Sequence, residues 1–345
     1  MAQPSHSPRV CVTGFGHWGK NLVRNFHLLG ALGGVCETDP ARLKALNEQY
    51  PGTRAYSSFG EALADQTIDG VVIATPAEHH FAMAMDALAA GKHIFVEKPL
   101  CLRMEDGMRL VKAARDRKST LMVGHLLRYH PAVLKIQELL AQGVLGPIEY
   151  VYSNRLSMGK IRQEENALWS FAPHDISVIL ALMGELPLQI SATGGAYLQP
   201  NIADITVSNL LFANGARAHI FVSWLHPYKE QRLVVIGRKQ MIVFEDSHPD
   251  PARKLVIYDK NIEWSNGRIQ VGAQQQGVPV PFAADEPLRV ECQHFLDCIS
   301  GGGQPRTTGE EGVAVLQVLE ACQRSLQMNG DPVQVQAIAN RISVL

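Results

Sequence analysis

Lys98 sits in the run GKHIFVEKPL, in which a short apolar stretch, HIFV, gives way to Glu97-Lys98-Pro99. An apolar run of that length between polar residues reads as a buried strand. In an open parallel sheet ligands bind beyond the carboxyl ends of the strands, so a charged residue at such an exit faces the ligand. Pro99 has no N–H for a further ladder bond and disfavours helical angles at Lys98, which fixes the direction of the lysine stem. On spacing alone, a surface lysine in a loop accounts for the residue equally well.

A second motif bears on that choice. RVCVT runs into GFGHWG, a GxGxxG spacing. Gly14 allows a tight turn, Gly16 lets the backbone approach a pyrophosphate, and Gly19 permits close packing of a helix whose N-terminus faces the phosphates. Phe15, His17 and Trp18 complete that loop. Glu37 closes the next strand at about the twenty-residue spacing of a ribose-binding acid. Beside it Thr38 and Asp39 offer no arginine for a 2′-phosphate, so NAD is favoured over NADP, although Arg42 can lean back toward the same place.

The rest of the chain must position these residues. Its 345 residues exceed the roughly 250–300 at which single cores stop growing, so two domains are expected. A net charge of −1 argues against a nucleic acid or a membrane surface as the main partner. The opening MAQPSHSPR has no apolar signal region, and no stretch approaches the roughly 18 apolar residues of a membrane span. A cytoplasmic location is expected. Six cysteines at 11, 36, 101, 292, 298 and 322 form no CxxC pair and read as buried thiols, and the 13 histidines fall into no ligand spacing, so no metal is expected.

Up to about residue 124, strand and helix signals alternate. Gly30 and Gly91 close helical patterns, Asp39-Pro40 opens one, and Ser58 with Glu61 has capping-box spacing. Six strands alternating with helices predict an α/β doubly wound Rossmann domain over residues 1–125. After it, PAVLKIQELLAQG reads as a helix. GPIEYVYSNRL, PLQISATGGAYL, DITVSNLLF, ARAHIFVSWL, QRLVVIG, QMIVFED and KLVIYD follow as strands on short turns, interrupted by one helix, PHDISVILALMG. Helices return near the C-terminus. The prediction for 126–345 is an α+β domain with a large, mostly antiparallel sheet, for substrate binding and oligomerisation.

GFGHWG, the exit Ala74-Thr75-Pro76 with His80 following, Glu97-Lys98-Pro99, VGHLLRYHPAV, GPIEY and the terminal PLRVECQHFLDCISGGGQPRTTGEEGVAVLQVLEA together resemble the glucose-fructose oxidoreductase, inositol dehydrogenase and MocA (Gfo/Idh/MocA) family over nearly the whole chain. The resemblance implies an NAD-dependent sugar or polyol oxidoreductase that forms a homodimer or homotetramer. Thr75, Pro76, His80, Glu97 and Lys98 would lie on the cofactor. It also implies that Lys98 is the catalytic lysine and His174 the catalytic histidine. Many members carry aspartates four residues before and three after that histidine; here Ser170 and Ser177 stand there, and Asp175 follows His174 directly. A helix-terminal histidine that caps or packs is the alternative for His174.

Oxidising a secondary alcohol needs a hydride acceptor and a base that titrates near working pH. Histidine does so unperturbed, while lysine needs its pKa lowered. His174 is therefore read as proton acceptor and Lys98 as the cation that orients the hydroxyl, although the roles can be reversed. Arg155, Lys160 and Arg162, interleaved with Asn154, Asn166 and Trp169, suit a carboxylate or diphosphate, unless they form a solvated loop with Trp169 as anchor. Arg128, Asn154, Arg155, Arg162, Trp169, His174 and Asp175, with Lys98, are the candidate substrate residues. The opening GHWGKNLVRN and the Asn154-Arg155 pair resemble the family branch acting on nucleotide sugars, such as UDP-N-acetylglucosaminuronate at carbon 3, in surface-polysaccharide sugar synthesis. A polyol or free-sugar dehydrogenase is the alternative, and a non-catalytic NAD-binding regulator a further one.

Overall fold

The computed structural model describes residues 7–335 apart from 160, 261, 274 and 275. Lys160, named above among the cations, therefore lies outside the described residues. The chain divides into two compact units, one running to Tyr129 and resuming over Asp285–Leu316, the other comprising His130–Ala284 and the residues from Gln317 on.

The first unit holds a parallel sheet of β1 (Val10–Thr13), β2 (Leu32–Cys36), β3 (Ala55–Tyr56), β4 (Gly70–Ile73), β5 (His93–Glu97) and β6 (Leu121–Gly124), in the order β3-β2-β1-β4-β5-β6. The order reverses between β1 and β4, and that switch point is where such sheets bind ligands. β1, β4 and β6 are buried along their whole length because a parallel sheet is covered on both faces. Between the strands run α1 (Gly19–Leu28), α2 (Pro40–Gln49), α3 (Phe59–Ala64), α4 (His80–Ala89) and α5 (Met104–Arg117). Gly30 and Gly91, at φ +69° and +73°, follow α1 and α4, and the Asp39 side chain caps α2 by accepting from Ala41 N and Arg42 N.

A single division at residue 125 does not describe these units, because the chain returns to the first one late. The reason lies in Leu288, Cys292, Phe295 and Leu296, an apolar stripe at helical spacing. These residues join the core of Val10, Phe26, Phe95 and Tyr129, with the Phe95 and Phe295 rings 5.6 Å apart.

The second unit opens with α6 (Pro131–Ala141) and carries β7 (Ile148–Leu156), α7 (Ala167–Met183), β8 (Gln189–Gly195), β9 (Ile205–Leu211), β10 (Arg217–Ser223), β11 (Glu230–Gly237), β12 (Gln240–Glu245), β13 (Leu255–Asp259), the hairpin of β14 (Ile262–Ser265) and β15 (Arg268–Val271), β16 (Val278–Pro279) and β17 (Val333–Gln334). Its nine-stranded sheet, among the described residues, has the order β16-β13-β12-β11-β7-β10-β9-β8-β17. Neighbours are antiparallel except β7 and β10. Two late helices, α8 (Pro287–Ile299) and α9 (Gly309–Gln327), complete the chain's helical elements among the described residues.

α7 starts six residues before the proline that was read as its first position. Asn166 is its N-cap, with the side-chain oxygen accepting from Trp169 N, Pro173 lies inside the helix, and Gly184 at φ +70° ends it. A proline inside a helix forfeits one backbone hydrogen bond, but here the cap, the Asn166 Nδ2 bond to Gln323 and the burial of Ala167, Leu168 and Ala172 hold the first turns. His174 is consequently a mid-helix residue, not a terminal one. Asn166→Ala is expected to lower the unfolding free energy of this unit by about 1–2 kcal/mol in urea; an unchanged midpoint would show that the cap does not hold the helix start.

Candidate active site

The glycine loop is built by close approach. Gly14 has φ +96°, and a Cβ there would sit 2.8 Å from Ala74 O, while a Cβ on Gly19 would sit 1.9 Å from Gly14 O. Neither position admits another residue without rebuilding the turn. At Gly16 the nearest atom to an added Cβ is Arg42 Nη1 at 3.9 Å, so the loop backbone is open there to a phosphate. Phe15 buries its ring and Trp18 is 36% exposed; His17 is exposed.

Glu37 is buried beneath this loop. Its carboxylate accepts from Phe15 N at 2.8 Å, Thr38 N at 2.8 Å and Asp39 N at 3.0 Å, and Arg42 lies 3.5 Å from it and 3.4 Å from Asp39. Burial alone would raise the Glu37 pKa; the N–H groups of Asp39, Phe15 and Thr38, with Arg42, outweigh it and hold the carboxyl below its usual range. Three of about four acceptor positions on the carboxylate are thus taken, and ribose hydroxyls must share or displace them. Arg42, balanced by two carboxylates, gives no net positive site for a 2′-phosphate.

At the exits of β4 and β5 the candidate residues are tied to one another. His80, 1% exposed, places Nε2 2.9 Å from Thr75 O and Nδ1 2.8 Å from Pro99 O. It therefore links the Thr75-Pro76 exit to the Lys98-Pro99 exit. Both partners are carbonyls, which only the imidazolium can serve together; burial first, then the charges of His79 and Lys98, works against that form and holds the pKa down. Glu97 accepts from the Trp18 indole N–H and, at 3.3 Å, from Lys98 N. This joins the glycine loop to the lysine exit. Burial pushes the Glu97 carboxyl up to about 7. His125, directly after β6, is buried and pushed down to about 3 by burial and by the charges of Arg128 and Lys98.

Residues 8–125 match the family model described as an oxidoreductase family with an NAD-binding Rossmann fold, and residues 133–243 match the GFO/IDH/MocA C-terminal domain. The chain belongs to the Gfo/Idh/MocA family of oxidoreductases. UDP-N-acetylglucosamine 3-dehydrogenase of Acidithiobacillus ferrooxidans is 28% identical over 326 residues, 92% of this chain and 98% of that protein. A solved structure of that enzyme matches with TM-score 0.81 over 93% of this chain and 98% of the other, at 26% identity. The inositol 2-dehydrogenase of Rhizobium meliloti is 27% identical over 310 residues, 85% of this chain and 88% of that protein. The WlbA dehydrogenase of Bordetella pertussis, solved with NADH and UDP-GlcNAcA, shares the fold with TM-score 0.76 at 24% identity, over 96% and 100% of the two chains. NAD is thus the cofactor of the first unit, and the open backbone at Gly16 with Glu37 below it fits a dinucleotide. Among the described residues no group of three or more His, Cys, Asp or Glu side chains is placed to hold a metal, and no helix is long and apolar enough to cross a membrane.

In the second unit this family member places His174, half-buried, in α7, with Ser170, Asp175 and Ser177 buried around it. Asp175 accepts from Arg155 Nε at 2.7 Å, Arg155 Nη2 at 3.0 Å and Ser153 Oγ at 2.6 Å. Arg155 and Asp175, both expected on the substrate, are engaged with each other as a bidentate pair. Arg162 pairs with Glu165 at 2.9 Å and Glu164 at 3.4 Å, Asn154 donates to Glu230 at 2.8 Å, and the Trp169 indole donates to Gln323 at 3.2 Å. In the first unit Arg128 is buried against Glu311. Each of the three arginines therefore stands in an ion pair; for Arg128 and Arg155, withdrawn from water, an opposite charge is what makes burial of the guanidinium tolerable.

Ser153, Gln323 and Glu311 take part in these networks, while His125 and Glu291 are buried in the first unit with no hydrogen-bond partner on their side-chain nitrogens and oxygens among the described residues; none of the five was selected from the sequence. Only Glu291 had a visible signal, an acid at helical spacing between the apolar positions 288 and 295. Removing one partner of a buried pair leaves the other charge stranded, so Asp175→Ala is expected to lose about 3–5 kcal/mol of stability, and Arg155→Met with Asp175→Leu to regain most of it. Denaturation of the parent and of these two variants checks this. A single variant within about 1 kcal/mol of the parent would show that the pair does not hold α7 to β7.

Proposed function

We propose that the protein oxidises the 3-hydroxyl of a nucleotide sugar with NAD, and that Lys98 and His174 carry the proton chemistry. The observation that carries the chemical half of this reading is the tie from Trp18 in the glycine loop through Glu97 to Lys98. It holds the backbone of Lys98 at the exit of β5, from which its side chain can reach the crevice. When bound, NAD accepts the hydride. Lys98 donates to the substrate hydroxyl and stabilises the negative charge that grows on its oxygen, and His174 accepts the proton. Asp175, held by Arg155 and Ser153 on β7, fixes the turn of α7 that carries His174.

The nucleotide-sugar part is supported by the 28% identity to an enzyme named for UDP-N-acetylglucosamine, over 98% of that enzyme's length. Arg155 and Arg162, which suggested a carboxylate or a diphosphate, already have acidic partners, so the nucleotide-sugar reading rests on the relative and not on these two arginines, and UDP-N-acetylglucosaminuronate stays beside UDP-N-acetylglucosamine as a candidate. The inositol 2-dehydrogenase at 27% identity keeps polyol oxidation as the second reading. Homodimers or homotetramers are proposed on the sheet face opposite α7, where Tyr152 stacks on His219 at 5.2 Å and Tyr150 Oη lies 2.8 Å from His219 Nδ1. The keto product suits cytoplasmic amino-sugar synthesis for surface polysaccharides.

Incubating the protein with NAD and UDP-N-acetylglucosamine, its uronate, free hexoses and inositols, and following NADH, separates these readings. Reduction with the first is expected; reduction with inositols or hexoses alone overturns the nucleotide-sugar reading. Lys98→Met is expected to lower kcat by at least about 10²–10⁴-fold while NAD still binds. An active Lys98→Met enzyme removes the lysine from the mechanism.

A further inference from the structure

The amino ends of β5 and β6 border a cavity of about 830 Å³ in the first unit, a size that holds a small metabolite. His93 begins β5 and Leu121 begins β6, and both line it. The cavity therefore opens at the edge of the sheet opposite the strand exits, and the length of β5, roughly 16 Å at 3.3 Å per residue, separates it from Lys98. It is not the dinucleotide crevice. The ends of α5 and α8, a turn with Gly301 and Gly303 at φ +91° and +97°, and the start of α9 complete its walls.

The lining divides by chemistry. Val111, Ala114, Leu121 and Cys298, all buried, give an apolar floor. The rim is polar and, with Arg115 and Lys118 against the single acid Glu310, carries a net positive charge. Lys118 caps α5 at φ +55°, a left-handed position that glycine ordinarily fills, and its ammonium has no ion pair or hydrogen bond among the described residues. Arg115 Nη2 donates to Glu310 Oε1 at 3.1 Å, but both side chains are at least half exposed, so the pair holds weakly and an anion can compete for the guanidinium.

His93 adds a donor of fixed direction. Its Nδ1 accepts from Thr120 N at 3.0 Å and lies 3.0 Å from Thr120 Oγ1. A ring nitrogen that accepts carries no proton, so the neutral imidazole has its N–H on Nε2; burial holds the ring below its ordinary pKa and so in the neutral form. Nε2 has no hydrogen-bond partner among the described residues. Cations at the end of α5 also suit the negative pole of that helix, but the helix end accounts neither for the cavity beside them nor for an imidazole N–H left without an acceptor.

We propose that this cavity is a second small-molecule site, separate from the cofactor crevice, that takes a phosphomonoester with an apolar body: Lys118, Arg115 and the His93 Nε2–H receive the phosphate, and the carbon body lies on the floor of Val111, Ala114 and Leu121. Lysine and arginine together match the charge of a phosphate near −2. The apolar floor selects against the bare ion, and the rim against the neutral body.

Calorimetric titration of the full chain saturated with NADH, so that the glycine loop is filled, tests this with phenyl phosphate, inorganic phosphate and phenol as probes. Phenyl phosphate is expected to bind once per chain and more tightly than either of the others. Lys118→Gln is expected to weaken it about tenfold with NADH affinity unchanged, and Glu310→Gln, which frees Arg115, to tighten it about two- to fivefold. The His93 ring signals in nitrogen-15 spectra are expected to shift on binding. Equal affinity for phenyl phosphate and phosphate, or for phenyl phosphate and phenol, overturns the proposal, as does binding that is unmoved in Lys118→Gln, weakened in Glu310→Gln, or silent at His93.

Discussion

The hydrogen bond from the Trp18 indole to the buried Glu97 carboxylate is the contact on which the cofactor unit depends. A parallel sheet brings strand exits to one edge but does not by itself fix the loops that leave them. Trp18 belongs to the loop after β1, and Glu97 ends β5, two strands away across β4. Their bond spans the switch point of the sheet and sets the glycine loop against the lysine exit. His80 adds the second tie, between the exits of β4 and β5. Both ties need small neighbours. Gly14 and Gly19 let the loop close on itself, and Gly124 leaves space for the carboxylate. Tryptophan, glutamate, histidine and three glycines are thus one arrangement, and a change at any of them is felt at Lys98.

Charge balance governs the second unit in the same way. Asp175 is adjacent to His174 in α7 and is held on β7 from two sides, by Arg155 and by Ser153. Neighbouring residues on a helix point about 100° apart, so anchoring one fixes the direction of the other. In the mechanism we propose, Asp175 is therefore a positioning residue that sets the orientation of the histidine through the backbone.

Local signals made most of the first unit legible. The apolar runs of β1, β4, β5 and β6, the Asp39 cap, Gly30, Gly91 and the Gly14–Gly19 spacing each state a local requirement that the chain meets where it is written. What could not be read depended on distant partners. Leu288, Cys292 and Phe295 show a helix but not which sheet it covers. Pro173 looks like a helix start until Asn166, Trp169 and Gln323 are seen to hold an earlier one. Arg155 and Arg162 look like receptors for an anion until Asp175 and Glu165 are found beside them, and Arg128 like a substrate residue until Glu311 is. Charge in a sequence carries no record of its partner, whereas glycine and proline act on their own backbone.

The central claim is a hydride passed from a sugar carbon to the nicotinamide beside Lys98. A UDP-N-acetylglucosamine deuterated at carbon 3 tests it most directly, with the nicotinamide product analysed by mass spectrometry. The account predicts one deuterium in the reduced nicotinamide ring. Reduced cofactor without deuterium, or deuterium appearing only from a sugar labelled at another carbon, would contradict it.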